Sequence, residues 1–223
     1  MYPLSRHIAL FVLLSAAAGC SAAGDAGSWF GGDSTLHTIA GQKPGGDSAK
    51  PEIRNAATLH IGRYADLREQ RDPRLLGTST LRVRGVSGSQ LLLDQEIADL
   101  VTSAIKMQFG SEGYQVLEDG SAGNVVFEVS GAIKDLTLNV KNRDEINIEI
   151  ETTVKDKRSG AVVWSGLVTE KHDRFAGVSG NNKDDVIDYL NKELRIASNK
   201  TVEAVSASLM AAQPELFNLT AGT

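Results

Sequence analysis

Three histidines lie downstream of residue 20, His37, His60 and His172, and they are where acid–base or metal chemistry would first be sought. His37 lies in the stretch read below as a tether, and His60 has no acidic or cysteine neighbour at ligand spacing. Glu170 and His172 share one face of an extended stretch, but two donors do not make a metal site. They read as polar side chains at the surface, in contact with water. The row Glu145, Glu149 and Glu151 offers carboxylates, yet like charges on an exposed strand are solvated rather than driven to separate pKa values, as an acid–base pair requires. Such a row also discourages edge-to-edge aggregation. No serine stands in a nucleophile-elbow pattern, and Gly177-Val178-Ser179-Gly180 lacks the lysine of a phosphate loop. No catalytic residue, metal or cofactor is therefore expected. Arginines are the remaining concentration of chemistry: Arg63, Arg68, Arg71, Arg74, Arg82 and Arg84 fall within 22 residues, interleaved with Asp66, Glu69 and Asp72. Two readings stay open, a basic patch for an anionic envelope polymer or lipid headgroup, and a salt-bridged loop packed on a sheet.

Cys20 is the chain's single cysteine. Arg6 and His7 precede a continuous apolar run, Ile8 to Leu14, and small residues lead from Ser15 to Gly19. The apolar run is too short to span a bilayer, which takes about 20 residues. A basic start, a short apolar core and a small-residue exit describe a secretory signal peptide. Ala17-Ala18-Gly19-Cys20 resembles the lipobox of bacterial lipoproteins, with Ala17 in place of the commoner leucine. That resemblance implies that the Cys20 thiol takes a diacylglycerol and becomes the new N-terminus. An exported protein with one unpaired thiol is odd unless the thiol is used up. Two or three acyl chains, at about 0.8 kcal/mol per buried methylene, anchor firmly. Ser21 rather than Asp after the cysteine implies, by the sorting rule of such lipoproteins, the periplasmic face of the outer membrane.

The 223 residues are 41% hydrophobic and 23% charged, with net charge −5. That balance excludes an intrinsically disordered chain and a strong field for nucleic acid. The expected organisation is a signal peptide over 1–19, a flexible tether over 20–55, one domain over 56–212 and a loose tail over 213–223. Gly, Ser, Ala and Asp dominate the tether, and Trp29-Phe30 is its anomaly. This pair is a candidate membrane-interface contact or a contact with the domain.

Periodicity places the elements within the domain. Thr58–Ile61 reads as a short strand, Gly77 as a turn marker, and Leu81–Arg84 as an edge strand or hairpin arm. A helix over 95–109 follows, with Asp94 as its cap and Ile97, Leu100, Val101, Ala104 and Ile105 on one stripe. Alternation over 125–140 and again over 145–154 predicts half-buried strands, the second with an acidic outer face. Ala161–Gly166 returns as its hairpin partner, and a second amphipathic helix covers 184–211 before Gln213-Pro214 stops it. The fold class is α+β, a mainly antiparallel (mixed) sheet with two amphipathic helices on one face.

In their order, the lipobox, Asp66-Leu67-Arg68 after the first strand, Gly113-Tyr114 after the helix, the polar antiparallel region and the final helix resemble the YajG-type bacterial lipoproteins over residues 56–212. The stretch Gly160–Gly166 also resembles a hairpin arm in the curli-secretion channel subunit and the penicillin-binding-protein activator lipoproteins. The YajG-type resemblance implies no enzymatic activity and no catalytic residues. The expected function is that of a lipid-anchored, non-enzymatic accessory or binding module in the cell envelope. Its partners would be outer-membrane lipid through Cys20 and an envelope protein or polymer, with the arginine-rich segment as a contact. The alternative is a ring component of an envelope exporter.

Overall fold

A computed structural model describes residues 35–36, 56–118, 124–175 and 182–217. Cys20, Trp29, Phe30 and His37 lie outside these residues, as do the signal segment, most of the tether and the end of the tail.

The organising element is β7 (Phe127–Val140), in which alternate side chains are buried, as period-two patterning requires. One of its edges pairs antiparallel with β8 (Asp144–Asp156), from Phe127↔Asp156 to Asn139↔Glu145. Its other edge receives three short parallel strands in succession: β2 (Thr58–Ile61), β3 (Ala65–Asp66) and β4 (Leu75–Ser79). Beside β4 lies antiparallel β5 (Gln90–Leu93), and beside β5 lies β1 (Thr35–Leu36). The three-residue β6 (Gln115–Leu117) runs parallel to β2. Beyond β8 comes β9 (Val162–Arg174). The result is one mixed nine-stranded sheet.

Two helices cover one face, α1 (Ile97–Ser111) and α2 (Lys183–Ala212), so the fold is α+β as expected. Ile97, Leu100, Val101, Ile105 and Phe109 of α1, and Val186, Leu190, Leu194, Val202, Val205 and Leu209 of α2, are buried against Leu59, Phe127, Ile133, Ile148 and Ile150. Asn182 caps α2 by accepting a hydrogen bond from the Asp185 N–H at 2.9 Å. The helix then runs unbroken through Ser198-Asn199-Lys200. Gly113, at φ +86°, closes α1: its N–H donates to Gly110, and the Tyr114 N–H donates to Phe109.

Several expectations are corrected. The N-cap position of α1 is Glu96, without a side-chain cap bond. Asp94 instead continues out of β5, and its N–H donates to the Leu36 carbonyl. Leu81–Arg84 forms no strand; the segment makes only an isolated bridge from Arg84 to Asn182, because Ser79 and Thr80 have already taken the available edge positions at Val140. Gly77 is not a turn but the middle of β4. Thr35–Leu36, within the expected tether, adds a strand whose Leu36 is fully buried. Residues 213–217, within the expected tail, fold back as a 3₁₀ turn. There the Leu216 carbonyl accepts from Ala56 N–H, and Phe217 packs edge-on against Tyr114 with centroids 6.0 Å apart.

Candidate functional site

The arginines do not form one patch. Arg68 has a side chain only 4% exposed and is clamped by Asp66, Nη2 to Oδ2 at 2.8 Å and Nε to Oδ1 at 2.9 Å. Its Nη1 also donates to the carbonyls of Leu75 and Leu136. It is structural, and an external ligand does not reach it. Arg63 pairs with Asp99 at 2.6 Å and with Glu96 at the start of α1, where acids also suit the helix dipole. Arg74 is held by Asp72. Arg71, Arg82 and Arg84 are exposed and make no ion pair among the described residues, but Arg71 precedes β4 while Arg82 and Arg84 follow it. Of the acids alternating with the arginines along the chain, Asp66 and Asp72 thus neutralise two of the six, acids of α1 hold Arg63, and the strand divides the rest.

The acidic row behaves as a solvated face. Ile146, Ile148, Ile150, Thr152 and Val154 point into the core. On the outer face Glu145, Glu149 and Glu151 meet Lys141 at 2.9 Å, Lys171 at 4.0 Å and Lys134 at 3.0 Å. Exposed pairs of this kind contribute about 0–1 kcal/mol each.

The densest chemistry lies on the helix side of β9, where Trp164, Val168, Glu170 and His172 stand opposite Val154, Ile150, Ile148 and Ile146. The 30-residue α2 crosses this face and brings Glu193 to His172 from 21 positions along the chain. His172 Nδ1 engages Glu193, and its Nε2 lies 3.6 Å from Glu170. Lys200 donates to Glu170 at 2.7 Å, and Lys192 lies 3.3 Å from Glu193. Both carboxylates are buried while the cations reach out to solvent. One step further along β9, Arg174 Nε donates to the fully buried Asp144 at 3.0 Å, and its guanidinium lies 4.3 Å above the Tyr189 ring. Burial, and then the Glu193 charge, pushes the Tyr189 hydroxyl up to about 12, so it stays protonated.

Between these elements opens a groove of about 460 Å³, lined by Lys171, His172, Arg174, Tyr189, Lys192 and Glu193 among others. Glu170 and His172 are therefore not simply solvated, as the sequence suggests, but bound to groups of α2. The signal that was missed is Glu193, a charge on the buried stripe of an amphipathic helix. Both imidazole nitrogens face carboxylates, Glu193 at Nδ1 and Glu170 at Nε2. Among the described residues no three metal-ligating groups converge. What the arrangement does is clamp an edge strand to a helix through buried charge. A His172→Ala chain is expected to lose about 2 kcal/mol in urea unfolding, because it leaves each buried carboxylate with a lysine alone. Lys171→Ala, on the exposed outer face, should cost less than about 0.5 kcal/mol. Equal losses for the two would show the cluster to be merely solvated.

No family model matches the chain, and no curated protein matches it. Among solved structures, the chain is similar to protein XCC0632 from Xanthomonas campestris, described under the family model DUF330. The two are 13% identical, the match covers 82% of this chain and 99% of that one, and the TM-score is 0.56. It is also similar to the lipoprotein GNA1162 from Neisseria meningitidis, at 10% identity over 66% of this chain and 99% of that one, with a TM-score of 0.37. At these identities the first likeness shows the shared α+β fold, and neither name states an enzymatic activity.

Proposed function

We propose that this chain is a lipid-anchored envelope lipoprotein of the YajG type, acylated at Cys20 and presenting its α+β domain from the periplasmic face of the outer membrane. The observation that carries this reading is the chain's single cysteine standing directly after a short apolar run and the small residues Ala17-Ala18-Gly19. It is supported by the helices: among the described residues, none is long and apolar enough to cross a membrane. The domain acts as a non-enzymatic accessory or binding module. The charged groups of the β9–α2 groove engage one another, and the exposed Arg71, Arg82 and Arg84 are the arginines left to meet an anionic envelope polymer or protein.

Cells expressing the chain are expected to incorporate labelled palmitate into it and to hold it in the outer-membrane fraction. A Cys20→Ser chain should lose the label entirely and leave that fraction. Label retained by Cys20→Ser, or a native chain free of label, would sink the proposal.

A further inference from the structure

Strand β9 is a long edge. Among the described residues it pairs only with β8, so thirteen residues present one row of backbone N–H and C=O groups outward. Such an edge is a template for a further strand unless charge or cover protects it. Here protection is one-sided: Glu170, Lys171, His172, Asp173 and Arg174 are all titratable, whereas the eight residues Val162–Thr169 carry no charge. In the middle of the strand Leu167 is 55% exposed, on the outer face opposite Glu151.

We infer that the partner for this edge is β9 of a second copy, added antiparallel about a two-fold axis through Leu167. Three features select it. Among the described residues the other strands with a single neighbour, β1, β3 and β6, are two or three residues long, so only β9 matches β9 in length, and a head-to-tail ring finds no complementary edge among them. An antiparallel copy lays the charged end of each strand against the uncharged end of the other, Lys171 facing Val163 and Asp173 facing Ala161, whereas a parallel copy would set Glu170 on Glu170. The axis also places the two exposed leucines directly opposite each other, burying both. The interface is isologous and closed, and it does not depend on acylation.

The test is the native mass of the full chain, purified from its host in mild detergent over a range of concentrations, beside L167K and L167C. The expected result is a two-copy species whose dissociation constant rises at least tenfold in L167K, with the two chains melting alike at concentrations where both are monomeric. Under mild oxidation L167C should give a disulfide-linked dimer that the native chain does not. A monomer at every concentration, an assembly larger than two copies, or a dimer indifferent to L167K would each overturn the inference. Should L167K fail to fold, the absence of a cross-link in L167C would overturn it alone.

Discussion

An Arg68→Ala chain is expected to lose about 3–5 kcal/mol of stability, the usual cost of removing one partner of a buried ion pair. For a domain of this size that is a fall in Tm of roughly 6–20 °C. The reason is the number of groups that depend on one guanidinium. Arg68 closes a bidentate pair with Asp66 two residues before it, then reaches across to Leu75 and Leu136. Those carbonyls lie beside register shifts in β4 and β7, where a bulge interrupts the ladder. Arg68 thus ties main-chain carbonyls of two strands to one carboxylate, and alanine would remove all of these bonds at once. Arg71→Ala, exposed and unpaired among the described residues, should change stability by less than about 0.5 kcal/mol. If the two substitutions cost the same in thermal and urea melts, the clamp is not what holds this corner.

The same pair sets an acid limit. Burial alone would raise the Asp66 carboxyl, but the side-chain and backbone hydrogen bonds from Arg68 outweigh it and hold its pKa below the usual carboxylate value. A carboxyl depressed in the folded state contributes stability that is present above its unfolded pKa of about 3.9. That contribution is lost as pH falls through the folded value. Stability should therefore decline below about pH 4, and Asp66→Asn should flatten that decline while lowering stability at neutral pH.

The second large effect is expected from Gly77→Ala. Gly77 pairs in parallel with Leu138, and a Cβ there would run into the Leu138 carbonyl, with the Leu138 nitrogen at 3.1 Å. The obstacle is backbone, which cannot swing aside as a side chain can. Because β4 carries β5, and β5 carries β1, lifting β4 from β7 also loosens the buried Leu76, Leu91, Leu93 and Leu36. The cost should reach the upper end of the range for overpacked cores, about 3 kcal/mol or more. Gly110→Ala is the counterpart, since a Cβ there meets nothing within 4 Å and the position is helical. It should gain up to about 1 kcal/mol. Urea midpoints of the two chains should thus move in opposite directions, and a Gly77→Ala loss below about 1 kcal/mol would refute the close approach.

What could be read along the chain was whatever repeats within a few residues. The stripe of α1, the stripe of α2 and the alternation of β7 and β8 are local patterns, and the folded chain keeps them nearly at their expected bounds. β1 and β3 escape because two residues are too few to show a period, and β4 because a glycine stands at its middle. Gly77 reads as punctuation along the chain because what requires it is the Leu138 backbone, 61 residues away. Leu81–Arg84 alternates for a different reason: Val83 alone is buried while its neighbours remain at the surface. The candidate sites divide the same way. Cys20 depends on its immediate neighbours and is legible in them. The arginines look like one patch along the chain, yet Asp66 and β4 bury one of them and separate the others. His172 has only Glu170 beside it along the chain until α2 folds back and sets Glu193 against it. Periodicity and motif are properties of adjacent residues. Burial, charge pairing and free edges depend on which distant segments meet, and here only the packing of α2 and the three short strands against the long sheet decided them.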